Sequence, residues 1–202
     1  NNISDSDIKK FKTTHKIPEN KIIVTCGYSS TPAHQQNKIV EGLLNNKEST
    51  YLLNKDNFFY IFPMTYGPDK NYRENFMRNI AQHPVPNKTL TEYMSNKEVA
   101  CLRSISDVMI NVPISDQFSG SMQEHLYAKN IVINGSWLPY DTLYEAGCFW
   151  LEVSEVEQIG IVLFNILQNI HKFNTLTNSN SKIISYFSTW ENNIHVWNNL
   201  YD

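Results

Sequence analysis

Short apolar runs rich in β-branched and aromatic residues alternate along the chain with segments of helical period. Each run ends close to a proline, a glycine or a polar turn. The runs lie at residues 22–25 (before Gly27), 58–67, 106–113, 129–135 and 147–153. This alternation is typical of a parallel sheet covered by helices. The pattern therefore predicts an α/β fold with a doubly wound parallel sheet of five strands.

Local signals place several helices around this Rossmann-like sheet. Ser95 with Glu98 fits a capping box, and Ser154 with Glu157 fits a second. Near the end of the chain, apolar and aromatic residues recur at spacings of three and four: Phe187, Trp190, Ile194, Trp197 and Tyr201. Such a stripe predicts a terminal helix with one bulky face.

The chain divides into three parts by composition. We expect residues 1–20 to be a linker and approach segment, residues 21–173 to form the Rossmann-like domain, and residues 174–202 to be a linker followed by the aromatic helix. Within the last part, the polar stretch 174–182 has the composition of a flexible linker. The opening segment resembles the start of a piece excised from a longer polypeptide.

Composition excludes several classes of protein. The 202 residues carry a formal net charge of −3 without a lysine or arginine cluster, which excludes an extended nucleic-acid surface but allows a ligand with one or two phosphates. Three widely spaced cysteines in or beside apolar runs, Cys26, Cys101 and Cys148, predict reduced core thiols rather than disulfides or a zinc site. The longest apolar run, 159–167, is too short to span a bilayer. We therefore expect a cytoplasmic protein, with peripheral attachment of a longer form at the inner face of the membrane as the alternative.

Two stretches could hold a ligand, because ligands of open parallel sheets bind beyond the carboxyl ends of strands, near helix N-termini. One is residues 27–44, after the first strand, and the other is residues 115–133. In the second, Gly120 allows a phosphate to approach the backbone, and the hydroxyls of Ser119 and Ser121 can donate to its oxygens. The sequence thus indicates an anion site that needs no metal.

Glu124 admits two interpretations. Ser121 and Glu124 fit a capping box, in which case the carboxylate serves only to begin a helix. A helix that begins near Ser119 instead leaves Glu124 free to accept both hydroxyls of a ribose. The residues alone leave both open.

The stretch "EYMSNKEVACLRSISDVMINVPISDQFSGSMQEHLYAKNIVING", residues 92–135, resembles the nucleotide-binding half of GT-B fold glycosyltransferases, particularly retaining family four. That family shows, in order, a helix, a strand ending in an A-D-V-like step, a small-residue turn, an E-A-M-A-like helix and a V-I strand. Residues 15–28 resemble the linker and first strand of the same domain, and residues 188–201 its closing helix. Residues 27–40, 64–76 and 116–126 are also similar to the inverting fucosaminyl transferases of enterobacterial common antigen.

The resemblance implies roles for individual residues. Glu124 aligns with the second glutamate of the family's E-x7-E motif, which binds the ribose, and Gln117 takes the place of the first. The positions of the family's diphosphate-binding arginine and lysine hold Ser29 and His34, so the cationic clamp is missing.

Further donor contacts follow from the same resemblance. They would come from the Gly27–Tyr28 turn, from His34 together with residues 119–121, and, for the base, from the backbone near Tyr93 and Met94. A histidine near a helix start is otherwise often a surface or capping residue. Weaker candidates for the sugar or acceptor are Trp137 and Tyr140, which are equally suited to packing.

The fold and function implied are those of the donor-binding half of a GT-B enzyme, a hexosyl- or related transferase. Its substrate would be a nucleoside-diphosphate sugar, with UDP favoured and no cofactor, and its acceptor a glycan or glycolipid of bacterial surface polysaccharide biosynthesis. A missing N-terminal half would hold the acceptor and catalytic groups, so the isolated domain should turn over slowly. The alternatives are a sugar-nucleotide 2-epimerase and a flavodoxin-like or receiver-like interaction module.

Overall fold

The computed structural model describes residues 3–67 and 69–201. Its centre is a six-stranded, entirely parallel sheet in the order β3-β2-β1-β4-β5-β6. The strands are β1 (Ile22–Cys26), β2 (Phe58–Pro63), β3 (Asn87–Leu90), β4 (Val108–Asn111), β5 (Ile131–Gly135) and β6 (Leu151–Val153). The predicted doubly wound α/β fold is confirmed, with one strand more than the sequence pattern indicated.

Helices cover both faces of the sheet. In chain order they are α1 (Asp5–His15), α2 (Gln36–Leu44), α3 (Ser49–Leu52), α4 (Lys70–Ile80), α5 (Asn96–Ile105), α6 (Gly120–Tyr127), α7 (Asp141–Glu145), α8 (Ile159–Leu176), α9 (Asn180–Ser188) and α10 (Trp190–Tyr201). Apolar side chains of α2, α3, α4 and α8 form one core cluster, and those of α1, α5, α6, α7 and α9 form two clusters on the opposite face.

The central strands are apolar on both faces because both faces are covered. In β4, Val108 and Ile110 lie in the first cluster while Met109, between them, lies on the other side of the sheet, and all three are fully buried. A strand buried on both sides reads as a continuous apolar run, which is why β1, β2, β4 and β5 were readable from the sequence. All three cysteines are buried and free, as predicted.

One of the two predicted capping boxes is confirmed. The Ser95 hydroxyl accepts from the Glu98 amide at 3.3 Å, and the Glu98 carboxylate accepts from the Ser95 amide at 2.8 Å. The second prediction is wrong. The Ser154 amide donates to the side chain of Gln158 at 2.9 Å, and a 3₁₀ turn over Val156–Gln158 delays the start of α8 to Ile159.

Residues 174–182, predicted as a flexible linker, are helical instead. They span the end of α8, a 3₁₀ turn over Thr177–Ser179 and the start of α9. The fully buried Asn180 side chain accepts from the Phe149 amide and donates to the Phe149 carbonyl, both at 2.8 Å. Most of the segment is exposed, but Thr177 and Asn180 are buried, and the hydrogen bonds of Asn180 fix it against the end of the loop before β6.

The predicted aromatic stripe is divided between two helices, because the extended backbone at Thr189 separates α9 from α10. Phe187 packs against the core, whereas Trp190 and Ile194 are exposed. The side chains of Trp197 and Tyr201 lie outside the described residues. Among the helices that the structure describes, none is long and apolar enough to cross a bilayer.

Candidate functional site

The order of the sheet reverses between β1 and β4, and the chain leaves these two strands in opposite directions. Such a switch point opens a crevice beyond the carboxyl ends of the strands. One wall of this crevice is the loop after β1, residues 27–35, and the other is the loop after β4, residues 112–119, with the first turn of α6. Most of the residues selected from the sequence lie on these two walls.

The β1 wall begins with a sharp turn. Gly27 has φ +66°, and a Cβ there would lie 3.4 Å from the side chains of both His34 and Gln36. The Tyr28 ring packs edge-on against the His34 ring, with centroids 4.1 Å apart. His34 is buried, and its Nδ1 has no hydrogen-bond partner among the residues that the structure describes. Burial lowers the pKa of its imidazole below the usual 6.5. At neutral pH it is a neutral hydrogen-bonding group, not a fixed positive charge.

Ser29 and Ser30 continue this wall but are buried against the loop after β2. The Ser29 hydroxyl donates to the Tyr66 carbonyl at 3.2 Å, and the Ser30 amide donates to the same oxygen at 2.9 Å. Gly67, with φ +113°, packs so closely that a Cβ would lie 2.9 Å from the Ser29 oxygen. Ser29 thus joins the loop after β1 to the loop after β2 through its hydrogen bond and close packing.

The two walls of the crevice are hydrogen-bonded to each other. The Gln35 side-chain amide donates to the Val112 carbonyl at 2.7 Å, and the Ile114 amide donates to the Ala33 carbonyl at 2.8 Å. At the rim, the Tyr28 hydroxyl donates to the Asp116 carboxylate at 2.9 Å. Burial, with a smaller contribution from Asp116, raises the pKa of Tyr28 to about 12. The Tyr28–Asp116 pair therefore remains a phenol donating to a carboxylate at physiological pH.

The β4 wall presents the start of α6. Ser119 is the N-cap: its hydroxyl accepts from the Met122 amide at 3.2 Å, and its own amide donates to the Tyr140 hydroxyl at 3.3 Å. The next two amides, of Gly120 and Ser121, have no carbonyl partner within the helix. A Cβ at Gly120 would meet no atom of the described residues within 4 Å. The described part of the chain therefore leaves room for a side chain or a ligand at this position.

Glu124 does not cap α6, since the helix begins at Gly120. Its carboxylate accepts from Nε of Arg103 at 3.1 Å, and the same guanidinium donates through Nη2 to the Ser121 hydroxyl at 2.9 Å. The Glu124 side chain is 55 % exposed, compared with 11 % for Arg103. Both line a groove of about 850 Å³ between α5, α6 and α9. The capping interpretation of Glu124 is therefore wrong. The carboxylate is partly exposed and paired with Arg103, and its contact with a ribose stays a prediction.

The E-x7-E motif has seven residues between its two carboxylates. With Glu124 as the second member, the first therefore falls at Asp116 and not at Gln117. Gln117 is exposed, and its backbone amide donates to the Asp116 carboxylate at 2.8 Å. Asp116 instead faces the crevice beside Tyr28. Its negative charge helps to raise the pKa of Tyr140 and partly opposes the lowering of the His34 pKa by burial. Counting back from Glu124 is the signal that finds Asp116 from the sequence.

The remaining candidates lie around the rim. Tyr93 is 80 % exposed between β3 and α5, while Met94 is half-buried against the core. The indole of Trp137 donates to the Pro113 carbonyl at 2.8 Å and covers Gly135, where a Cβ would lie 2.5 Å from the ring. The ring of Tyr140 is buried, and its hydroxyl accepts from the Ser119 amide at the start of α6. Of these, Tyr93 has the most surface available for a ligand.

Solved structures with the same fold are glycosyltransferases. The chain is similar to a glycosyltransferase from Rickettsia africae (TM-score 0.78, 14% identity, 98% of this chain and 51% of that chain). It is also similar to HepE from Anabaena in complex with UDP and glucose (TM-score 0.75, 15% identity, 98% of this chain and 53% of that chain). A third is the C-terminal domain of a group 1 glycosyl transferase, LpcC, from Francisella tularensis (TM-score 0.66, 13% identity, 90% and 92% of the two chains).

Comparison of the sequence with protein-family models and with curated proteins finds no match. The chain spans about half the length of the full-length glycosyltransferases whose fold it shares, but most of the isolated LpcC domain. The fold is that of one domain of GT-B glycosyltransferases.

Proposed function

We propose that this chain is the donor-binding domain of a glycosyltransferase that moves a sugar from a nucleoside diphosphate to an acceptor. The observation that carries the proposal is the arrangement at the start of α6. The amides of Gly120 and Ser121 have no carbonyl partner within the helix, and a Cβ at Gly120 would meet no described atom within 4 Å. The Glu124 side chain, 55 % exposed and paired with Arg103, lies one turn further along. The neighbour HepE, with the same fold, was crystallised with UDP and with UDP-glucose.

Each part of this arrangement suits one part of a donor. The amides of Gly120 and Ser121, at the positive end of the helix dipole, would hold the diphosphate. The Glu124 carboxylate would accept from the ribose hydroxyls. His34 can donate a neutral hydrogen bond to phosphate, and Asp116 can accept from a sugar hydroxyl. Donors fixed around the departing diphosphate would stabilise the charge that develops as the glycosidic bond breaks.

The finer assignment extends the same proposal. UDP is the favoured nucleotide, the group transferred is a hexosyl or related sugar, and the acceptor is a glycan or glycolipid of bacterial surface polysaccharide biosynthesis in the cytoplasm. HepE and the Rickettsia glycosyltransferase are about twice as long as this chain, which supports a proposed second half that carries the acceptor site. The isolated domain should therefore bind nucleotide with little turnover.

Calorimetric titration with UDP, GDP and dTDP tests this function. Wild-type protein should bind at least one of them, and Glu124→Gln, which can still accept from Arg103, should weaken binding about 10- to 100-fold through loss of charge-assisted hydrogen bonds. Glu74→Gln, at an exposed carboxylate on α4, is the matched control and should leave affinity unchanged. Absence of heat with all three nucleotides would favour the interaction module, and unaltered affinity in Glu124→Gln would remove this residue from the site.

A further inference from the structure

Arg103 contacts two residues of the candidate site, and a contribution to folding stability does not by itself explain this arrangement. Its side chain is 11 % exposed, and it crosses from α5 to α6 to reach Glu124 through Nε and Ser121 through Nη2. Its third nitrogen, Nη1, is buried and has no hydrogen-bond partner among the described residues. A buried guanidinium with an unsatisfied nitrogen is costly, and replacing such an ion pair with apolar groups is often neutral or stabilising.

The charge of Glu124 creates a difficulty that Arg103 resolves. With a rise of 1.5 Å per residue, Glu124 lies about 6 Å along the helix from Gly120. That separation is shorter than the screening length of about 8 Å at physiological ionic strength, so an unpaired carboxylate there would repel a diphosphate. The β1 wall does not supply a compensating charge from Ser29 or His34, because the first is neutral and the pKa of the second is lowered.

We propose that Arg103 is the positioning residue that balances the charge of the donor site. By pairing with Glu124 it cancels the negative charge that ribose recognition brings close to the diphosphate. By donating to Ser121 it fixes the first turn of α6, whose amides face the phosphates. Arg103 thereby makes ribose and diphosphate recognition compatible on one short helix. This inference rests on the proposed function.

The ratio of affinities for UDP and uridine tests the proposal, because it isolates the contribution of the phosphates. Arg103→Met keeps the length of the apolar stem but removes the charge. UDP affinity should fall about 10- to 100-fold while uridine affinity changes less than about threefold, because only UDP carries charge for Glu124 to repel. Adding Glu124→Gln to Arg103→Met should return the ratio close to its wild-type value. Arg78→Met, an exposed arginine on α4, should leave the ratio unchanged.

The possible results distinguish a failure of the role proposed for Arg103 from a failure of the proposed function. A parallel loss for uridine and UDP, or an unchanged ratio with only a lower unfolding temperature, would overturn the charge-balancing role and leave the proposed function standing. Failure of wild-type protein to bind UDP, GDP and dTDP would overturn both the charge-balancing role and the proposed function. An altered ratio that the double variant restores would support the proposal, since a merely structural role does not predict that restoration.

Discussion

Replacing Gly120 with alanine should separate folding from ligand binding at the first turn of α6. The added Cβ meets no described atom within 4 Å, and the backbone at Gly120 does not have the positive φ found at Gly27 and Gly67. The folded protein can therefore accommodate the methyl group without a steric clash. A diphosphate bound against the Gly120 amide would meet that group directly.

The expected magnitudes follow from these contacts. Alanine restricts the unfolded chain more than glycine does, so Gly120→Ala should raise the free energy of unfolding by about 0.5–1 kcal/mol. UDP affinity should fall at least about tenfold, equivalent to about 1.4 kcal/mol. Gly67→Ala provides the contrast. With φ +113° and a Cβ only 3.1 Å from the Ser30 carbonyl oxygen, it should cost about 2–4 kcal/mol of stability.

Urea unfolding and calorimetric titration of both variants provide the measurements. Stability that is preserved in Gly120→Ala together with weakened UDP binding is the expected result. If Gly120→Ala bound UDP as tightly as wild type, the diphosphate would not lie on the Gly120 amide, and the orientation proposed for the donor would be refuted. If it lost more than about 1 kcal/mol of stability, the open space above Gly120 would be refuted instead.

Two further predictions concern the structure that supports the site. Asn180→Ala should lower the free energy of unfolding by about 2–4 kcal/mol, because it removes two hydrogen bonds to Phe149 and leaves partly buried backbone groups unpaired; a loss below about 1 kcal/mol in urea unfolding would contradict this. The pKa of Tyr28, raised from 10.0 to about 12, means that the unfolded chain gives up this proton first as pH rises. Stability should therefore be lost between pH 10 and 12, by about 1–2 kcal/mol from this half-buried group once solvent screening is taken into account. Tyr28→Phe should lose that much less than wild type over the same range in alkaline urea titrations, whereas identical pH dependence would show that Tyr28 is not desolvated.

The sheet was predictable where burial on both faces made the sequence continuously apolar. β3 was not, because its four residues, Asn87–Leu90, include only one buried side chain and lie at the edge of the sheet. The Ser95 capping box was readable because it is complete within four residues. The start of α8 was misplaced because Gln158, one residue beyond Glu157, takes the Ser154 amide.

The site divides in the same way between local and long-range features. The start of α6 at Gly120 and the separation of Glu124 from the cap depend on neighbouring residues, and the sequence contained the correct interpretation. The Arg103–Glu124 pair joins residues 21 positions apart on different helices, and Tyr28–Asp116 joins residues 88 positions apart. Such pairs depend on how helices and loops pack over the sheet, which periodicity does not specify.

The hydrogen bonds between the two walls of the crevice restrict how far the two loops can move apart. The binding surface is therefore preorganised, and little of a ligand's binding free energy would be lost in ordering the loops. Its arrival would not have to wait for a gate to open. Any change of shape after capture would then be a movement of the domain as one rigid body rather than the folding of a flap over the bound molecule.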